Sequence, residues 1–169
     1  LQLVHEYTEN LEIKVVNCIA LHQPFARDLR YLTGSLKVSN EIHRSAHDAV
    51  HIANSTKFIE KGVNDSIVEK IGELARMALN MFRKSIDAFL RFRSLRLDEW
   101  QKMDDAVDDF HEAIIAEITT IMASDSSSWI RAGVSLILAT RYIERIADHA
   151  CNIIEASVFV LASKRVKIE

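Results

Sequence analysis

The chain has 169 residues, 49% of them apolar and 27% charged, with a single proline and four glycines. Its net charge of −3 gives no electrostatic case for nucleic-acid binding, and no apolar run reaches the ~18 residues that a membrane-spanning helix needs. Cys18 and Cys151 form neither a CxxC pattern nor a disulfide framework, which points to a reducing, intracellular setting.

Few chain breakers and abundant Ala, Leu, Ile, Glu, Lys and Arg favour an all-α fold. The chain opens at Leu1 already inside a helical pattern and shows no signal peptide, so we expect a preceding segment. Val4, Tyr7, Leu11, Val15 and Cys18 recur at three and four, which predicts a first helix to about Leu21. His22-Gln23-Pro24 breaks it. Pro24 suits the first position of a second helix, with Asp28 favourable in its first turn, running to about Ile59. Ser66 with Glu69 reads as a capping box for a third helix over 67–93. Asp98 is the expected N-cap of a fourth helix over 99–123. The polar stretch Ala123–Ser128 predicts a hairpin turn into a long fifth helix over 127–162, followed by a charged, frayed tail.

The fifth helix carries Glu144 and Asp148 at i and i+4, flanking the apolar stripe of Ile143, Ile146, Ala147, Ala150, Ile153 and Ile154. The fourth carries Asp104 and Asp108 at the same spacing. Asp108 and Glu144 lie equally far from Ser126, and so do Asp104 and Asp148. Folded as an antiparallel hairpin, the chain therefore brings four carboxylates to one level. At about 4 Å each like-charge pair costs roughly 1 kcal/mol in water and about 4 at an effective dielectric of 20. Such a cluster needs protons or cations, and oxygen donors suit Mg²⁺, Ca²⁺, Mn²⁺ and iron. The competing reading is a solvated face neutralised by Arg141 and Arg145.

The first hairpin repeats the second. Leu3-Val4-His5-Glu6-Tyr7 aligns with Ala106-Val107-Asp108-Asp109-Phe110, and Ile42-His43-Arg44-Ser45-Ala46-His47 with Ile143-Glu144-Arg145-Ile146-Ala147-Asp148. His5, His43 and His47 thus stand where the second hairpin has acids, and Leu1 takes the fourth place. Histidines at i, i+4 are a common chelating pair, and neutral imidazole suits zinc, nickel, copper or iron. The lane continues to His51. His111 and His149 sit one residue from matched positions and read as outer or surface groups.

Two stretches resemble a known family. Gln23-Pro24-Phe25-Ala26-Arg27-Asp28-Leu29-Arg30 resembles the QPxAxDLR signature of the PhoU family of phosphate-signalling regulators. Glu144-Arg145-Ile146-Ala147-Asp148-His149-Ala150-Cys151-Asn152-Ile153 resembles its ERIGDxAxNI motif. The resemblance spans essentially the whole chain and implies tandem antiparallel three-helix bundles, with the first helix of the first bundle absent. Residues 1–63 would form the first repeat and 64–169 the second.

The resemblance also implies metal at an E/D-x-x-x-D motif in each repeat. Glu144 and Asp148 match it in the second, faced by Asp104 and Asp108. Repeat one departs, with His43 and His47 in place of acids and His5 opposite. Iron or zinc is the first expectation, manganese or magnesium the next. The implied role is non-enzymatic: negative regulation of phosphate uptake and of phosphate-responsive signalling. The implied partners are a phosphate ABC transporter at the inner membrane face and a sensor histidine kinase. The chain would be cytoplasmic, without membrane insertion or nucleic acid, and able to form a homodimer. The alternatives are a carboxylate-bridged metal enzyme or ferritin-like protein, and an accessory regulator of another transporter or ion channel. Against the di-iron enzymes, no Glu-x-x-His occurs in the chain.

Overall fold

The computed structural model describes residues 1–58, 65–93, 96–124 and 126–168, without the side chains of 58 and 126–128. Those residues form five helices and no strand: α1 Gln2–His22, α2 Ala26–Ser55, α3 Asp65–Leu90, α4 Leu97–Ser124 and α5 Ser126–Ala162. A single 3-10 turn, Thr56–Phe58, follows α2. The boundary expected between residues 63 and 64 lies outside the described residues, as does the hairpin residue 125 between α4 and α5.

The helix starts depart from the sequence expectation in instructive ways. Gln23 closes α1 in the left-handed region, φ 47°, with its N–H on the Ile19 carbonyl at 3.0 Å. A non-glycine residue there costs roughly 1–2 kcal/mol. Pro24 lies outside α2, which begins at Ala26 after an extended Phe25. What holds this turn is the remainder of the signature. Arg27 lies over the Phe92 ring at 4.7 Å, and Arg30 donates from Nε to the Val160 carbonyl at 3.2 Å. The turn is thereby tied to the ends of α3 and α5. Helix α3 begins at Asp65, so Ser66 sits in its first turn rather than at its cap. Asp98 lies within α4, paired with Arg96 at 3.1 Å.

Helix α5 is the axis of the molecule, packing against α2, α3 and α4, whereas α1 packs on α2. The larger core joins Ile67, Leu74, Ala78 and Met81 of α3 to Val107, Ile114 and Ile118 of α4, and to Leu136, Ile143, Ala147 and Ile154 of α5. A smaller cluster of Val38, Phe89, Ile153, Ala156 and Val160 joins α2 to the far ends of α3 and α5. Gly34 permits the close α2–α5 approach: a Cβ there would meet Val160 Cγ2 at 2.6 Å. As far as Ile168 the tail is docked rather than frayed. The Ile168 side chain is buried and its N–H donates to Glu155 Oε1 at 2.9 Å.

Helices α2 and α5 cross antiparallel with a local two-fold pattern. Asp48 bonds His149, its equivalent 101 positions on, at 3.0 Å. To one side of that pair Asn152 donates to Glu41 at 3.2 Å, and to the other Tyr142 stacks on His51 at 4.7 Å. Glu41 and Tyr142 are equivalent in the repeat, as are His51 and Asn152. The same pair of positions therefore meets twice, once with each helix supplying each partner.

Candidate metal centre

The acid lane forms at the α4–α5 seam, where the hairpin was expected to bring it. Asp104 of α4 and Glu144 of α5 are buried, while Asp108 and Asp148 are exposed. Burial of their neighbours follows from the apolar stripes: Val107 and Ala147 are all but inaccessible, and a helix face includes the residues beside its core stripe. Cys151 of α5 donates its thiol to Asp104 Oδ1 at 3.2 Å, closing the lower end of the seam. Burial and the facing Asp104 push that thiol up, so it remains protonated.

The acids of the lane feel one another's charge. Burial and then Asp148 raise Glu144 to about 7, with Asp108 adding to the rise against Arg141. Burial raises Asp104, helped by Asp108 and Asp148 and opposed by the Cys151 thiol. Burial and Asp148 raise Asp108 as well. A carboxyl pushed up by like charges and desolvation is short of a cation. Here Arg141 supplies one, its Nη1 lying 2.6 Å from Glu144 Oε1.

His111 belongs to the same stripe of α4, three residues beyond Asp108. It is buried, and its Nε2 has no hydrogen-bond partner. Burial and then Arg141 lower its pKa, so the ring is neutral at pH 7. A raised carboxylate set beside an orphaned neutral imidazole fits a hard or borderline divalent cation. As the side chains stand, no three His, Cys, Asp or Glu among the described residues are gathered as a finished cage. The exposed Asp108 and Asp148 would have to swing inward around an ion.

In the first hairpin His5 and His43 lie with ring centroids 5.6 Å apart, and His43 and His47 at 4.7 Å. The three predicted histidines therefore stand together, on the surface, with His5 also 3.3 Å from Glu9. His51 departs from the lane to stack on Tyr142.

The group that sequence reasoning missed lies between the two clusters. His149, read as an outer or surface residue, is only 2% exposed and bridges two acids of α2. Its Nδ1 meets Glu41 Oε2 at 2.7 Å and its Nε2 meets Asp48 Oδ2 at 3.0 Å. Burial alone would raise Glu41, but the bonded His149 and nearby Arg44 carry it below its ordinary value. Arg145 adds a contact to Asp48 at 3.4 Å. One signal could have exposed this clamp. Asp48 and His149 are repeat equivalents, each the polar residue directly after the lane, where the stripe turns toward the other hairpin.

Comparison with known proteins agrees with this architecture. The PhoU domain model matches residues 71–157. A phosphate-specific transport system accessory protein PhoU homolog of Clostridium acetobutylicum is 28% identical over 98% of this chain and 76% of its own length. One from Deinococcus radiodurans is 32% identical over 86% of this chain and 68% of its own. The crystal structure of PhoU from Pseudomonas aeruginosa superimposes with a TM-score of 0.84 at 26% identity, over 96% of this chain and 78% of that one. A phosphate transport system regulatory protein PhoU from Streptococcus pneumoniae shares the fold, with a TM-score of 0.86 at 19% identity. With half its length matching the family model and its helices matching the family's solved structures, the chain belongs to the PhoU family.

Proposed function

We propose that this protein is a non-enzymatic, metal-binding accessory regulator of phosphate transport, with residues 1–63 and 64–169 as its two repeats. The observation that carries the reading is the acid lane at the α4–α5 seam: four carboxylates on two matched i,i+4 spacings, three of them raised above their ordinary values. The family relatives named as phosphate-specific transport accessory proteins supply the transport context. In this reading Asp104, Asp108, Glu144 and Asp148 hold one or more divalent ions, iron or zinc first and manganese or magnesium next. His5, His43 and His47 hold another. A bound ion would supply positive charge that locks the α4–α5 hairpin, and no catalytic step is assigned to it.

The partner is a phosphate ABC transporter, with a sensor histidine kinase as a second client and negative control of uptake as the outcome. No helix among the described residues is long and apolar enough to cross a membrane. In the transport context of its relatives the regulator would act from the cytoplasmic face. Two measurements test this. Elemental analysis of untagged protein should find a transition metal, with the content per chain falling in Asp148→Asn to what the histidine cluster holds. Cells lacking the gene should take up labelled phosphate faster under phosphate excess, with the wild-type gene restoring control. Unchanged uptake, with no co-purifying transporter subunit, would remove the regulatory reading.

A further inference from the structure

Asp104, Asp108 and His111 occupy one stripe of α4 at i, i+4 and i+7. The first and last are each only 8% exposed. Buried imidazole nitrogens are normally bonded to protein or to ordered water. His111 Nε2 is shielded and bonded to nothing. The charged groups near it are Asp108 and Glu112 of its own helix and Arg141 and Asp148 of α5. Arg141 is the donor at hand, yet its Nη1 is committed to Glu144, 2.6 Å from each carboxylate oxygen. The matched place in α1 holds Thr8, whose hydroxyl is satisfied by the Val4 carbonyl at 2.9 Å. A shielded imidazole nitrogen without a protein partner, on the same helix stripe as Asp104 and Asp108, has the chemistry of a metal ligand.

The geometry points to His111 as a nitrogen ligand, through Nε2, of the metal held by Asp104, Asp108, Glu144 and Asp148. The inference rests on the reading that these acids bind metal. It changes the class of ion. An all-carboxylate cluster accepts Mg²⁺ or Ca²⁺ readily, whereas a mixed carboxylate–imidazole set favours Mn²⁺, Fe²⁺ or Zn²⁺. Each repeat then contributes imidazole, but from different positions: lane positions in the first, the stripe beyond the lane in the second.

The experiment uses the full chain with His5, His43 and His47 all changed to Ala, so that the first hairpin gives no nitrogen signal. Mn²⁺ is added and read by pulsed electron paramagnetic resonance for coupling to a directly bound ¹⁴N. The expected result is one such coupling, abolished in His111→Gln, with Mn²⁺ still bound about tenfold or more weakly. Should His111→Gln fail to fold, the same question is put to the unsubstituted chain labelled with ¹⁵N-histidine. Added Zn²⁺ must then shift the His111 Nε2 resonance, and 10 mM Mg²⁺ must not reproduce the shift. Mn²⁺ bound without nitrogen coupling, or with coupling that survives His111→Gln, overturns the inference and leaves the acid-cluster reading intact. Mn²⁺ uptake that is absent, or indifferent to Asp148→Asn, overturns both.

Discussion

The two hairpins place matched residues in opposite physical circumstances. His5, His43 and His47 lie on a surface where α1 packs chiefly on α2, and Leu3, Tyr7, Ile13, Val16 and Leu21 remain exposed. Asp104, Asp108, Glu144 and Asp148 lie on a hairpin backed by α3, with Asp104 and Glu144 drawn inside. The same backbone spacing therefore yields a cluster nearly independent of the fold in one repeat and a cluster in conflict with it in the other. The third helix makes the difference, because the core it forms with α4 and α5 draws Asp104 and Glu144 out of water. A metal at the acid site would relieve that conflict; a metal at the histidine site, joining α1 to α2, would add stability without relieving one.

The largest expected effect comes from the residue between the clusters. His149→Ala leaves the buried Asp48 and the half-buried Glu41 without their shared partner and should cost about 3–5 kcal/mol, read by urea unfolding. A cost below 1 kcal/mol would show that the two hairpins are not joined through this clamp. Next comes the pH dependence of the metal-free protein. Glu144 rises from 4.5 to about 7 on folding, so between those values the folded state holds more protons than the unfolded chain. Stability conferred by the protonated acid is full below pH 4.5 and lost as pH rises through 7, by roughly 3 kcal/mol. Melting in chelator from pH 5 to 8 checks the sign, and Glu144→Gln should flatten that slope.

Metal response separates the repeats further. Saturating Mn²⁺ or Zn²⁺ at a hundred times its Kd should stabilise the chain by about 2.7 kcal/mol. Asp148→Asn should lose most of that gain while melting higher than wild type in chelator, because it removes a like charge from the seam. Equal metal response in both proteins would reduce the acid lane to an ordinary solvated face. The smallest effect belongs to the histidines: His43→Ala with His47→Ala should change metal-free stability by no more than about 0.5 kcal/mol. A larger loss would mean that the first cluster too is tied to the fold.

Much of this was legible in one sequence because it depends on short-range regularity. Helical periodicity located the five helices of the described residues, and equal spacing about Ser126 put Asp104, Asp108, Glu144 and Asp148 on the facing helices α4 and α5. The same test about Pro24 placed His5 beside His43. Helix ends were less legible, because Arg27 and Arg30 settle the α2 start through contacts to Phe92 and Val160, far along the chain. The tail escaped for a similar reason: its charges suggest fraying, but Ile168 has a buried site and a carboxylate waiting at Glu155.

The sequence by itself determined the secondary structure, the pairing within each hairpin and the residue types at each cluster, since i,i+4 geometry and a hairpin turn are local rules. Only the tertiary structure decided which cluster is buried, which histidine is a clamp and which is orphaned. Those properties depend on how α5 meets α2 and how α3 covers the α4–α5 seam. They are set by packing between segments a hundred residues apart, where no periodicity says whether a polar residue beside the stripe will find water, a partner or neither.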